Sequence, residues 1–260
     1  MKYFLWQDGQ QVERFHFAPG EDRTKSGLLL GDGVFETMLV VSGEVFARDR
    51  HLERMKRALR HIGVPSIDPS SGIEAAIAWL AGRTGQLRLT QTSAGELLIS
   101  AREHVIPIDS LSVTLYPYPK SVASNLVGIK TLSYGENVAA LRYARARGFD
   151  DVIFVNDRGE VMESAMANLL FWDGEKWWTP ELGSGALAGV TRELLISRFA
   201  VGERSIDPQT LAGMKALALT SSLRDIQPVS KFQDISYSSL GEVDRLRREF
   251  RDWREQNNNP

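Results

Sequence analysis

The residues with chemistry to offer lie between Lys130 and Thr191. Lys130 follows a small apolar turn of Val127, Gly128 and Ile129 and stands just before a helical pattern. An apolar run from Val152 to Val155 comes next, then a polar turn, then Glu163 among small residues. Gly-Val-Thr, ending at Thr191, heads a further helix. An amine, a carboxylate and a helix N-terminus are three of the parts needed to hold pyridoxal phosphate. The amine bonds the aldehyde, the carboxylate keeps the ring nitrogen protonated, and the helix end takes the phosphate. Spacing alone does not assign these roles, because a lysine before a helix is commonly a solvated side chain.

The rest of the chain must position those groups. Residues 2–17 read as two short strands around Asp8-Gly9, a hairpin signal, and a Gly, Asp and Lys-rich loop follows from Pro19 to Gly27. GLLLGDGVFETMLVV is a turn feeding a strand over Val34–Val41, and Ser42-Gly43 leads to a second strand over Glu44–Ala47. Apolar residues at 52, 55, 59 and 62 give HLERMKRALRHI helical periodicity, ended by Gly63. A further amphipathic helix spans Ser70–Ala81, and LRLTQTSAGELLISAREH with LSVTLYPYP gives three more strands. YPYPKSVASN breaks both periodicities, so the expected division is a domain over 1–117, a linker over 118–125 and a larger domain over 126–260. Trp172, Trp177 and Trp178 surround a DGEK turn and read as hairpin packing. The last stretch, LRREFRDWREQNNNP, reads as a charged helix with a frayed polar tail.

Composition narrows the function. With 260 residues the chain can bury a substantial core, and 43% hydrophobic with 25% charged residues is ordinary for a soluble protein. A net charge of −2 gives no general electrostatic reason to bind nucleic acid or a membrane surface. The absence of cysteine excludes disulfides, thiolate ligands and thiol nucleophiles. His16, His51, His61 and His104 have no ligand-like spacing, so no metal is expected. MKYFLWQDGQ turns polar within seven residues and is no signal peptide, and no apolar run approaches a membrane span; the expected location is the cytoplasm.

Four motifs in order, GLLLGDGVFET, HLERMKRAL, GIKTLSYGENVAAL and ESAMANLLF with ALAGVTREL, resemble the class IV pyridoxal-phosphate enzymes, which include branched-chain and D-amino-acid aminotransferases and aminodeoxychorismate lyase. The resemblance covers nearly the whole chain. It implies an α/β (α+β) fold of type IV in two domains, an N-terminal antiparallel sheet with helices and a C-terminal β-rich, barrel-like domain. It also implies a homodimer with the active site between the domains, and a small amino substrate.

By the same resemblance Lys130 bonds the cofactor and shuttles the substrate α-proton, and Glu163 pairs with the pyridine nitrogen. Arg54, of the HLxR segment, binds the phosphate together with Val190, Thr191, Ser222 and the neighbouring Ser221. GDG has a shaping role. Tyr134, four residues after the lysine, faces cofactor or substrate or merely packs, and Thr191 has capping as its plainer role. The chain departs from many relatives where they carry a Gly-rich Arg-Gly segment; here stands TQTSAGE. Arg88 and Arg102 are candidate carboxylate partners there, with cross-strand or surface pairing as the plainer account. KTLSYGENVAALRYARARGFDD and the short chain look like the lyase branch, which releases pyruvate from 4-amino-4-deoxychorismate to give 4-aminobenzoate. The alternative is an aminotransferase acting on branched-chain or D-amino acids.

Overall fold

The computed structural model describes residues 1–7, 10–13, 27–238 and 240–260. The Asp8-Gly9 turn, the loop from Pro19 to Ser26 and the expected strand residues 14–17, with His16, lie outside them. The chain forms two compact units. Unit 1 comprises Met1–Val105, Ile129–Tyr134 and Asn257–Pro260; unit 2 comprises Ile106–Gly128 and Gly135–Gln256.

Unit 1 is a six-stranded antiparallel sheet with two helices on one face. Its strands are β1 (Lys2–Gln7), β2 (Gln10–Val12), β3 (Gly33–Val41), β4 (Glu44–Val45), β5 (Gly85–Thr92) and β6 (Glu96–Glu103), in the order β2-β1-β6-β5-β3-β4. Helices α1 (Arg48–His61) and α2 (Ser70–Leu80) bury Met55, Leu59, Ile73, Ala76 and Leu80 against Val34, Met38, Val40, Leu87, Leu89 and Ile99. Strand residues two apart share a face, so Val34, Glu36, Met38 and Val40 all point to the helices. The expected hairpin is present as the β1/β2 pair, with Leu5 opposite Val12.

Unit 2 holds β7 (Leu111–Leu115), α3 (Gly135–Arg145), β8 (Asp151–Val155), β9 (Val161–Ser164), β10 (Asn168–Trp172), β11 (Trp177–Pro180), α4 (Val190–Arg198), β12 (Gly202–Arg204), α5 (Pro208–Ala212), β13 (Ala216–Ser221), β14 (Asp225–Phe232), β15 (Ile235–Ser236) and α6 (Leu240–Glu255). Nine strands make one mixed sheet in the order β12-β11-β10-β13-β14-β7-β8-β9, with β15 beside β14. The sheet curls, bringing β9 back beside β10. Parallel pairing joins β14 to β7, β7 to β8 and β11 to β12. The tryptophan hairpin forms as expected: Trp172 faces Trp177, and Trp178 Nε1 donates to Asp173.

Two sequence expectations change. The units do not divide over 118–125. Strand β7 is bonded on both edges into the second sheet, so the chain leaves unit 1 after Val105, and the proline-rich stretch lies within unit 2. The terminal tail is not frayed. Ala47, at the N-cap of α1, has a left-handed φ of 54° and no side chain able to cap. Asn258 O accepts from Ala47 N–H at 2.8 Å, and Asn259 Oδ1 accepts from Asp49 N–H at 3.1 Å. A distant asparagine thus does the work of an N-cap side chain. Replacing Asn259 by Ala is expected to cost about 1 kcal/mol, read as a lower urea midpoint with unchanged m-value.

Candidate active site

Lys130 belongs to unit 1 and is placed there by backbone pairing. Phe35 N–H donates to Lys130 O at 3.0 Å, Leu132 N–H donates to Gly33 O at 2.9 Å, and Val34 bridges Thr131. Glycine at 33 is required chiefly by β5: a Cβ there would lie 2.3 Å from Gln91 O and 2.8 Å from Thr92 Cα, and it would also meet Leu132 Cδ1 at 3.0 Å. This is the physical content of the second glycine of GDG, since only a residue without a side chain lets β3 and β5 meet so closely there.

The Lys130 amine sits 4.4 Å from the centre of the Phe35 ring and 5.7 Å from that of Tyr134, and the two rings meet edge to face at 5.2 Å. Tyr134 therefore packs on Phe35 beside the lysine. Arg88 stacks on the same phenylalanine, its guanidinium carbon 3.8 Å from the ring centre. Register explains the meeting, because Thr37 faces Arg88 and Phe35 faces Thr90 on the side of the sheet away from the helices. Burial pulls the Arg88 pKa down while Tyr134 raises it, and an arginine stays charged throughout. Arg88 makes no ion pair among the described residues. Arg102 differs: it donates twice to Gln86, its cross-strand neighbour, as the plainer account expects.

Arg54 stands on α1 over the helix-facing side of β3. Glu36, on that buried face, accepts from Arg54 Nε at 2.8 Å, Arg54 Nη2 at 2.6 Å and His51 Nδ1 at 2.7 Å. A carboxylate only accepts, so His51 Nδ1 carries hydrogen. Burial lowers the His51 pKa, partly opposed by Glu36, with Arg54 and Lys130 adding to the lowering; the ring is neutral at pH 7. For Glu36 burial acts upward, but the Arg54 charge and the two donors outweigh it and hold the carboxyl at about 2. The sequence reading passed over Glu36 and His51. The signal was present: a glutamate in the apolar alternation of Val34, Met38 and Val40 is a buried charge that requires partners.

Unit 2 holds the remaining candidates. Glu163 Oε2 accepts from Asn168 Nδ2 at 3.0 Å and from Leu187 N–H at 3.1 Å, and Asn168 also donates to Leu187 O. The carboxylate is thus an oriented acceptor. Helix α4 begins at Val190, with Gly189 as N-cap; no side chain caps it, and Thr191 lies in its first turn rather than at the cap. A Cβ on Gly189 would come 1.9 Å from Asn168 Oδ1, so the residue that holds Glu163 also closes the space at the helix start. Ser221 ends β13, and Ser222 lies in the turn over residues 222–224 that leads into β14, where Arg224 N–H donates to Ser221 O. The structure brings Lys130, Tyr134 and Arg54 into unit 1, and Glu163, Val190, Thr191, Ser221 and Ser222 into unit 2. No cluster of metal-ligating residues occurs among the described residues.

The profile of the Amino-transferase class IV family matches residues 33–232. A putative branched-chain-amino-acid aminotransferase of Methanocaldococcus jannaschii is 25% identical over 258 residues, covering 88% of this chain and 89% of that protein. The aminodeoxychorismate lyase of Bacillus subtilis is 24% identical over 242 residues, covering 82% of each. Among solved structures, a fold IV transaminase from Curtobacterium pusillum superposes with a TM-score of 0.81 at 25% identity, covering 96% of this chain and 99% of that one.

The Glu36 carboxyl sets a pH dependence. Its folded pKa of about 2 lies below the ordinary 4.5, so its contribution is complete above about pH 4.5 and is lost as pH falls through about 2. Glu36→Gln is expected to cost about 3 kcal/mol at pH 7 by stranding Arg54. Urea midpoints between pH 5 and 3 will fall less steeply in the variant than in the parent.

Proposed function

Since the chain belongs to the class IV aminotransferase family, we propose that it is an aminodeoxychorismate lyase, releasing pyruvate from 4-amino-4-deoxychorismate to leave 4-aminobenzoate. At the coarser level it is a pyridoxal-phosphate enzyme, a lyase or an aminotransferase. The residues present fit that cofactor: an amine at Lys130, an oriented carboxylate at Glu163, and at α4 a helix start with no capping side chain and Thr191 in its first turn. When bound, pyridoxal phosphate supplies the aldehyde that takes up an amino substrate and a ring that withdraws electrons from its α-carbon.

The side chains divide the work. Lys130 would hold the cofactor through its amine and, once an amino substrate has taken its place, would take the proton from the substrate's amine-bearing carbon. Glu163, its rotation fixed by Asn168 and Leu187, is the partner for the ring nitrogen. Val190 and Thr191 offer backbone N–H groups to the phosphate, and Ser222 and Ser221 offer hydroxyls. Arg54, its fork fixed by Glu36, supplies a cation for the same anion. A homodimer and a cytoplasmic location go with this reading.

One observation carries the choice of an anionic amino substrate: Arg88, half-buried and without an ion pair among the described residues, shares the Phe35 ring with Lys130. Aminodeoxychorismate bears carboxylates that suit it. The B. subtilis lyase supports the same reading. The M. jannaschii relative favours the second reading, an aminotransferase acting on branched-chain or D-amino acids, whose substrates also carry a carboxylate.

Reconstituted protein given aminodeoxychorismate is expected to release 4-aminobenzoate and pyruvate together. Bound cofactor converted to its amine form by an amino acid, without that release, would establish the aminotransferase instead. Lys130→Ala should lose the near-visible absorbance of bound cofactor and at least ~10²-fold in turnover. Arg88→Gln should lower kcat/KM by roughly 10- to 100-fold, mainly through KM, by removing one charged hydrogen-bonding partner.

A further inference from the structure

Asp151, the first residue of β8, is fully buried in unit 2. Its Oδ1 accepts from Val152 N–H at 2.8 Å and from Ala165 N–H at 3.1 Å. Its Oδ2 is buried and accepts no hydrogen bond; Arg224 Nη2 stands 3.7 Å from it. Burial raises the Asp151 pKa, and the charge of Arg224 with the backbone and Ser164 hydrogen bonds only partly offsets this.

As a packing residue this carboxylate is a poor choice. A buried charge with one oxygen unbonded and a long ion pair costs stability that an asparagine or an apolar side chain would save. What it touches gives it a use. Ala165 lies two residues after Glu163, in the same short segment. Arg224 lies two residues after Ser222, in the turn between β13 and β14, and its NH1 also donates to Gln227 at 3.0 Å on β14. One side chain thus holds, through opposite oxygens, the segment that ends β9 and the turn that ends β13. These strands are not neighbours in the sheet; β10 lies between them, so no ladder joins their ends directly.

We infer that Asp151 is a positioning residue for the cofactor, one buried carboxylate that fixes the Glu163 segment and the Ser222 turn relative to each other. The inference rests on the assignment of Glu163 to the ring nitrogen and Ser222 to the phosphate. Asp151 touches neither group of the cofactor; it acts through Ala165 and Arg224. The neutral, nearly isosteric asparagine keeps the volume and loses the charge that draws Arg224.

The test titrates cofactor-free protein with pyridoxal phosphate and with pyridoxal, which lacks the phosphate. Absorbance is followed in the parent, Asp151→Asn, Arg224→Gln and the double variant. Supporting partners of a bound group are typically worth 10- to 100-fold in affinity. Each single variant should therefore bind pyridoxal phosphate about tenfold more weakly and lose less for pyridoxal. The absorbance maximum of the bound form should shift as Glu163 moves. The double variant should be no weaker than the weaker single one, because the two residues act as one unit. Arg224 is partly exposed, so its variant remains informative if Asp151→Asn folds poorly. Leu217→Ala, in the unit 2 core, supplies a control of matched thermal stability.

Additive losses would overturn the inference. So would an unchanged ratio of the two affinities with an unchanged spectrum, or a loss equal to that of Leu217→Ala. A parent protein that binds no pyridoxal phosphate would bring down the functional assignment, and the inference with it. A parent that binds, with variants that match it, would remove the inference alone.

Discussion

The placement of Lys130 depends on a short backbone ladder. Residues 33–35 of β3 and residues 130–132 exchange two hydrogen bonds and a bridge, and the segment Ile129–Tyr134 is thereby grafted onto unit 1 from a chain that is otherwise in unit 2 on both sides. The ladder aligns the lysine with Phe35, and Phe35 in turn gathers Tyr134 and Arg88. A backbone ladder is a stiff anchor for a flexible side chain, because it fixes the direction of the Cα–Cβ bond before any rotamer is chosen. Gly33 lets β3 lie close against β5 where this ladder begins, and the aromatic that follows two residues later is the surface on which the amine rests.

Three carboxylates within the fold form the second organising feature, Glu36 and Asp151 fully buried and Glu163 half-buried. Glu36 has three donors from two α1 residues and is held strongly acidic. Glu163 Oε2 accepts from Asn168 and from the backbone of Leu187. Asp151 is the least satisfied, with one oxygen unbonded. Complete pairing suits a group that must stay put under a helix, whereas incomplete pairing of a fully buried group marks a position kept for something other than stability.

Much of this was legible in the sequence. The periodicity at 52, 55 and 59 located α1, the apolar run Val152–Val155 located β8, and the Gly-Val-Thr sequence located the start of α4. Those signals are local, set by the 3.6 and 2.0 periods of the backbone. What the sequence did not reveal is long-range. Strand β7 looks like a continuation of the first sheet, yet its partners are β8 and β14, and no local pattern distinguishes one partner from the other. His51 and Glu36 are 15 positions apart, and their meeting depends on α1 crossing β3. Arg88 and Arg102 look alike on adjacent strands; the face of the sheet and the cross-strand neighbour decide that one stacks on Phe35 and the other pairs with Gln86.

The asparagines that complete the first turn of α1 stand 210 positions further along the chain. A helix whose first turn draws on so remote a segment cannot be finished before that segment has been made, however strong its own periodicity. The cost of closing so long a loop is entropic and is met only when the rest of the chain already holds the ends near each other. The helix that carries His51 and Arg54 is thus made about 210 residues before the asparagines that close it. Until Asn258 and Asn259 have emerged, the nascent chain can build the sheet of unit 1 but leaves the first turn of α1 open to water.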